Sequence, residues 1–301
     1  MSSVVSAAPP RLFCFGLGTS ALAFARLLQA EGWAIAGTCR SDEKAARLAK
    51  EKIQAWRFDG TAPMAEASAA LAGATHLLIS APPDAEGDPV LRWHGAEIAA
   101  LGSASSPLRW LGYLSTTGVY GDRQGGWVDE DSALTPSGER GRRRLDAENG
   151  WLALGRENGL PVHLFRLAGI YGPESNALAT VRAGRAQRID KPGQVFSRIH
   201  VDDIAATLRA SAARSSPGRA YNVCDDNPAP PEEVIRYACE LLGVTPPPLV
   251  PFAEAQLSPM ARSFYDDSKR VRNERIKREL GVALKYPDYK AGLAAILAGE
   301  R

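Results

Sequence analysis

The stretch Gly16-Leu17-Gly18-Thr19-Ser20-Ala21 constrains this chain more than any other. It follows a short apolar run, Arg11-Leu-Phe-Cys-Phe15, and precedes an amphipathic stretch from Ala21 to Glu31. Two glycines between a strand and a helix fit the G-x-G-x-x-G/A pattern of a dinucleotide-binding turn. Gly16 permits the tight turn, Gly18 lets a pyrophosphate approach the main chain, and Ala21 keeps helix and sheet close. The helix start behind them, at Thr19 and Ser20, offers free N–H groups to phosphate charge. An ordinary glycine-rich turn is the bland alternative; the strand–loop–helix context favours the nucleotide.

The rest of the first half repeats the same alternation. Strand patterns cover 33–38, 53–58, 76–79, 110–114 and 161–166, with helical patterns at 42–52, 64–71, 90–101 and 141–158. Such alternation implies βαβ units with right-handed crossovers. The predicted fold is therefore α/β, a Rossmann-type doubly wound parallel sheet with a smaller, mixed C-terminal substrate lobe. The expected organisation is a flexible tail over 1–10, a Rossmann dinucleotide domain over 11–170 and the smaller lobe over 171–301. Segments near 197–223 are expected to return to the sheet. In the lobe, a strand at 197–201 leads to a helix over 203–213, with His200 packed at the strand end and Asp203 capping the helix. Further helices are predicted at 231–242, 267–280 and 289–297.

Composition narrows the function classes. With 36 basic against 34 acidic residues the net charge is +2, so no global field recruits nucleic acid or an anionic membrane. The apolar runs are too short and too broken to span a bilayer. Cys14, Cys39, Cys224 and Cys239 show no ligand spacing, and four scattered histidines argue against a metal site. A cytoplasmic protein with reduced thiols is the expectation. Its partner is then a small molecule, with a homodimer left open.

Which dinucleotide binds is decided after the second strand, where an acidic residue would grip the ribose 2′-hydroxyl of NAD. Here Arg40 and Ser41 stand instead, suited to a 2′-phosphate. NADP is the predicted cofactor, with Asp42 keeping NAD as the alternative.

Seven stretches in order resemble the extended short-chain dehydrogenase/reductases, the NAD-dependent epimerase/dehydratase family. They are the glycine loop, Phe58-Asp59-Gly60, Ile79-Ser80-Ala81-Pro82, Leu114 to Gly121, Arg166 to Pro173, Ile199 to Asp203, and Tyr221-Asn-Val223. The resemblance implies cofactor contacts at Asp59, Ser80, Ala81, Pro82, Ala168 and Gly169, and a catalytic hydroxyl at Thr116. It also implies a Tyr and, four residues on, a Lys. Register through Pro136, Gly141 and Glu148 puts Arg140 at the Tyr position and Arg144 at the Lys position. A guanidinium stays protonated and cannot shuttle a proton, although Arg144 can still bond ribose hydroxyls. The chain thus resembles an atypical branch that keeps the fold and loses the tyrosine.

On that alignment Arg140 points at the nicotinamide cleft near Thr116. Tyr120 is the alternative acid, and Arg198 stands near the place of the family's substrate-phosphate arginine, which is Phe196 here. Two functions compete. One is an atypical NADP-dependent oxidoreductase or epimerase-like enzyme on a small, sugar-like or anionic substrate. The other is a non-catalytic NADP(H)-binding redox sensor or regulator.

Overall fold

A computed structural model describes residues 9–103, 105–214 and 216–300. The tail expected over 1–10 lies almost wholly outside the described residues. The first half follows the alternation read from the sequence: β1 (Arg11–Phe15), α1 (Thr19–Ala30), β2 (Ala34–Cys39), α2 (Asp42–Lys50), β3 (Gln54–Arg57), α3 (Ala67–Leu71), β4 (His76–Ile79), α4 (Pro89–Ala100) and β5 (Trp110–Thr116). The short β6 (Trp127–Val128) precedes the long α5 (Glu139–Asn158), which is followed by β7 (Val162–Leu167). Then come β8 (Gly169–Tyr171), α6 (Ala177–Arg182), β9 (Arg188–Asp190), β10 (Arg198–His200), α7 (Val201–Ala212) and β11 (Ala220–Val223). The chain continues through α8 (Pro231–Leu242), β12 (Leu249–Pro251), α9 (Pro259–Ser263), β13 (Arg270–Val271), α10 (Glu274–Leu280) and α11 (Tyr289–Gly299).

Seven strands form one sheet in the order β11-β7-β5-β4-β1-β2-β3, a Rossmann-type α/β arrangement. The order reverses at β1, which pairs in parallel with β2 on one side (Cys14 opposite Gly37) and β4 on the other (Phe15 opposite Ile79). A crevice at the carboxyl ends of two strands flanking such a reversal is where open α/β sheets bind ligands. Alternating side chains would face opposite sides of the sheet, and both sides are covered, so Leu12 to Phe15 and Leu77 to Ile79 are all fully buried.

The chain divides into two compact units. The first runs to Leu114 and includes Asp146–Leu164 and Ser211–Arg219. Its later segments are tied in by hydrogen bonds: the Trp151 indole donates to Asp88 at 3.1 Å, and the Trp110 indole to Ser211 at 3.1 Å. The second holds Ser115–Leu145, Phe165–Ala210 and everything from Ala220 onward. Within it, β8 pairs with β10, β9 with β12 and β6 with β13, all in parallel. The two units interleave along the chain, and β11 joins the seven-stranded sheet beside β7. No helix among the described residues is long and apolar enough to cross a membrane.

Two local readings are corrected. The helix expected over 267–280 begins only at Glu274, because the main chain before it finds partners elsewhere. Arg270 donates to Gly126 and Arg272 to Val128, each at 2.9 Å, making β13 the neighbour of β6. Asp203 does not cap α7, which already starts at Val201. Its carboxylate instead accepts the main-chain N–H groups of Lys285 (2.7 Å) and Tyr286 (3.0 Å). His200 is buried at the end of β10 against the rings of Tyr171 and Tyr286.

Candidate functional site

The first unit contains a cavity of about 450 Å³ at the carboxyl ends of β1, β2 and β4. Gly16 lines it with φ +92°, a backbone that strains any side chain, and a Cβ there would crowd the Ala81 nitrogen at 3.0 Å. The loop is pinned to β2, since Gly16 donates to the Thr38 hydroxyl at 2.8 Å and Leu17 to the Thr38 carbonyl at 2.8 Å. Gly18 differs. Its φ of −81° suits any residue, and a Cβ there would meet nothing within 4 Å. Neither conformation nor packing asks for glycine at 18, whereas a ligand lying on the main chain would. Gly18 also stands at the N-cap of α1 without a side-chain cap, so the first-turn N–H groups face outward as an anion site would have them.

Of the residues singled out from the sequence, Gly16, Gly18, Arg40, Ser41, Asp59, Ser80, Ala81 and Pro82 all line this cavity. Thr19 is exposed beside it, while Ser20 and Ala21 are buried in the first turn of α1. Ser41 caps α2 by accepting the Lys44 N–H at 3.3 Å. Asp59 holds the hydroxyl (2.6 Å) and N–H (3.0 Å) of Thr61, which keep its carboxyl below the usual carboxylate range. Lys44 and Arg47 join Arg40 in the wall. None of these three cations forms an ion pair among the described residues, and Asp42 sits 3.9 Å from Arg57 instead. Lys44 and Arg47 were missed in the sequence. Their spacing of three on a predicted helix, beginning just past Arg40, was the available signal.

A second cavity, of about 380 Å³, lies in the second unit. Thr116, Thr117 and Gly118 form one wall, with Ala168, Gly169, Ser197 and Arg198 on others. Thr116 ends β5 in extended conformation, and its hydroxyl accepts the Gly118 N–H at 3.1 Å, leaving the hydroxyl proton to donate. Ala168 and Gly169 line this cavity together with Thr116 and Arg198. Lys269 and Asp267, paired at 3.0 Å, line the same cavity. No local pattern in the sequence marked them.

Tyr120 is corrected as an acid. It is fully buried, donates to Asn222 at 2.7 Å and accepts from Arg166 at 2.9 Å, so both sides of the hydroxyl are committed. Burial pushes it up to about 12, further from working pH. Arg140 is corrected in its direction. It is exposed on the first turn of α5, with its guanidinium 5.1 Å from the centre of the Phe264 ring. An aromatic face attracts the cation there. Phe264 lines the Thr116 cavity, but Arg140 does not. Arg144, one turn on and half-buried, lines neither cavity. Among the described residues no cluster of His, Cys, Asp or Glu could hold a metal.

No family model matches the chain. A trifunctional UDP-glucose 4,6-dehydratase/UDP-4-keto-6-deoxy-D-glucose 3,5-epimerase/UDP-4-keto-L-rhamnose-reductase of Arabidopsis thaliana is 28% identical over 173 residues. That alignment spans 52% of this chain and only a quarter (25%) of the plant protein. A conserved protein of unknown function from Silicibacter pomeroyi is 51% identical, with 96% of this chain and 99% of that one covered and a TM-score of 0.89. A protein from Methylobacillus flagellatus, assigned to the NAD-dependent epimerase/dehydratases, is 25% identical over 98% of this chain and 100% of its own, with a TM-score of 0.66.

Proposed function

The chain belongs to the extended short-chain dehydrogenase/reductases, the NAD-dependent epimerase/dehydratase family, and on that premise we propose an atypical NADP-dependent oxidoreductase or epimerase-like enzyme. Gly18 carries the cofactor half of this reading. It is a glycine that neither its own backbone nor its surroundings require, at the mouth of a helix start, in a cavity lined by three cations without ion pairs among the described residues. The preference for NADP rests on Arg40, Lys44 and Arg47, which together suit the dianionic 2′-phosphate. NAD is the alternative.

The Thr116 cavity is the proposed substrate site, taking a small sugar-like or anionic molecule. Thr116 would orient a substrate oxygen with its free hydroxyl proton, and Arg198 would meet negative charge. Arg140 and Arg144 hold the helical places of the missing Tyr and Lys. A guanidinium there cannot exchange a proton, and neither side chain lines the Thr116 cavity. That gap supports a second reading, a non-catalytic NADP(H) sensor, which gains from the committed hydroxyl of Tyr120 and the outward Arg140.

Calorimetric titration with NADP and NAD tests the first half, and the expected result is tighter NADP binding by about ten- to a hundredfold. Equal affinities would remove the NADP preference, and no binding of either would remove the function. Hydride transfer assayed across carbonyl and alcohol compounds then separates enzyme from sensor, because silence throughout, with cofactor bound, leaves the sensor.

A further inference from the structure

The walls of the Thr116 cavity hold two cations, Arg198 and Lys269, against one carboxylate, Asp267. Lys269 is answered: its side chain is 10% exposed and its ammonium lies 3.0 Å from Asp267. Arg198 is not. Its guanidinium donates to the main-chain carbonyls of Phe196 (2.8 Å) and Ala229 (3.1 Å), and it forms no ion pair among the described residues. It is flanked by the rings of Phe196 at 6.0 Å and Tyr289 at 5.9 Å. The acid whose charge reaches it most strongly is Asp225, 1% exposed, with one carboxyl oxygen lacking any partner. Burial pushes Asp225 up to about 8, which weakens its answer to the guanidinium.

An arginine out of water keeps its proton, and a buried charge without a counter-ion is costly. Arg198 also borders a neighbouring cavity of about 350 Å³ with Tyr171, Tyr265 and Tyr289, so the Thr116 cavity shares it; its own lining still counts two cations against one carboxylate, in a space of ligand size with a hydroxyl donor on its wall. We propose that this excess selects the substrate class: a small hydroxy- or keto-acid whose carboxylate is recognised by Arg198 and Lys269. The charge count favours a single carboxylate, since a phosphate dianion would overshoot it. This inference rests on the reading of the Thr116 cavity as the substrate site and adds Lys269 as a substrate-binding residue.

The test uses the full chain without dinucleotide and three probes: propionate, its neutral isostere propionamide, and methyl phosphate. Ligand-observed NMR titration is run on the natural protein, Lys269→Met and Arg198→Met. Propionate should bind saturably, about tenfold or more tighter than propionamide, and each substitution should cost propionate about tenfold while leaving propionamide unchanged. Equal binding of propionate and propionamide would overturn the proposal, as would variants that bind propionate like the natural protein. Methyl phosphate binding more tightly than propionate would overturn the carboxylate assignment. If Arg198→Met fails to fold, Lys269→Met decides the matter alone. Dinucleotide titration of the same samples reads the cofactor proposal separately, so either can fail while the other stands.

Discussion

The wall of the glycine-loop cavity comes from residues 16–89, mostly the corners after β1, β2, β3 and β4 with Lys44 and Arg47 from α2, whereas the Thr116 cavity gathers residues from 116 to 271 through turns and short strand pairs. In the first, the sheet fixes where each corner ends, and three basic side chains stand around it without ion pairs among the described residues. In the second, the polar groups are largely engaged with one another: Thr116 with Gly118, Lys269 with Asp267, and the Ser197 hydroxyl with the Val271 N–H at 3.1 Å. One cavity offers charge to an incoming phosphate as it stands. The other must exchange internal bonds for ligand bonds, and so discriminates more between ligands.

The sharpest way to break this contrast is at Gly18. Gly18→Val should lower dinucleotide affinity by more than about a hundredfold. The fold should stay intact, because a side chain there meets nothing within 4 Å. Unchanged calorimetric binding would return the loop to an ordinary turn. Next comes Arg40→Ala, expected to cost NADP about ten- to a hundredfold and NAD almost nothing. Parallel titrations of the two cofactors read the difference, and equal losses would assign Arg40 to the shared part of the dinucleotide.

In the second unit the expected effects fall on stability. Asp225 is raised to about 8 in the fold against about 4 in an unfolded chain. Between those values the folded form holds a proton that the unfolded form has lost, so stability should fall as pH rises through the window and level off above it. The slope for one proton is at most about 1.4 kcal/mol per pH unit, and Asp225→Asn should lack it. Thermal unfolding at pH 5 to 8 checks both. Tyr120→Phe should cost about 1–3 kcal/mol, since Asn222 and Arg166 each lose a buried partner. Dinucleotide affinity should stay as it was; a loss there would restore Tyr120 to the site. The smallest effect belongs to Arg140→Ala, about 0.5 kcal/mol for an exposed contact with Phe264. Calorimetry of that variant should find NADP binding unchanged.

What the sequence made legible follows the same division. The glycine loop, Arg40 and Ser41 could be read because each lies in a short local pattern at the end of a strand. Lys44 and Arg47 were readable too, had the helical face after Arg40 been followed. Lys269 was not, because its place in the cavity depends on β13 pairing with β6, and Trp127 lies far upstream of Arg270. The same pairing explains why the basic stretch before Glu274 read as helix: its composition suits one, and only a distant strand decides otherwise. Asp203 matched a capping pattern locally while serving two N–H groups more than eighty residues away. Tyr120 matched a family motif, and only its partners Asn222 and Arg166 showed that the hydroxyl is committed inward.

The interleaving of the two units has a consequence for synthesis. The first unit is closed by Ser211–Arg219, so the unit that β1 begins is complete only once residue 219 has left the ribosome. At the usual elongation rates that delay is roughly ten to forty seconds. Throughout it, the apolar faces around Trp110 lack the segment that carries Ser211. A nascent chain stalled before that point presents sheet edges and buried-type aromatics to chaperones and proteases. Neither unit can be excised as one continuous fragment, and a split at residue 170 would leave each half without strands or helices that the other encodes.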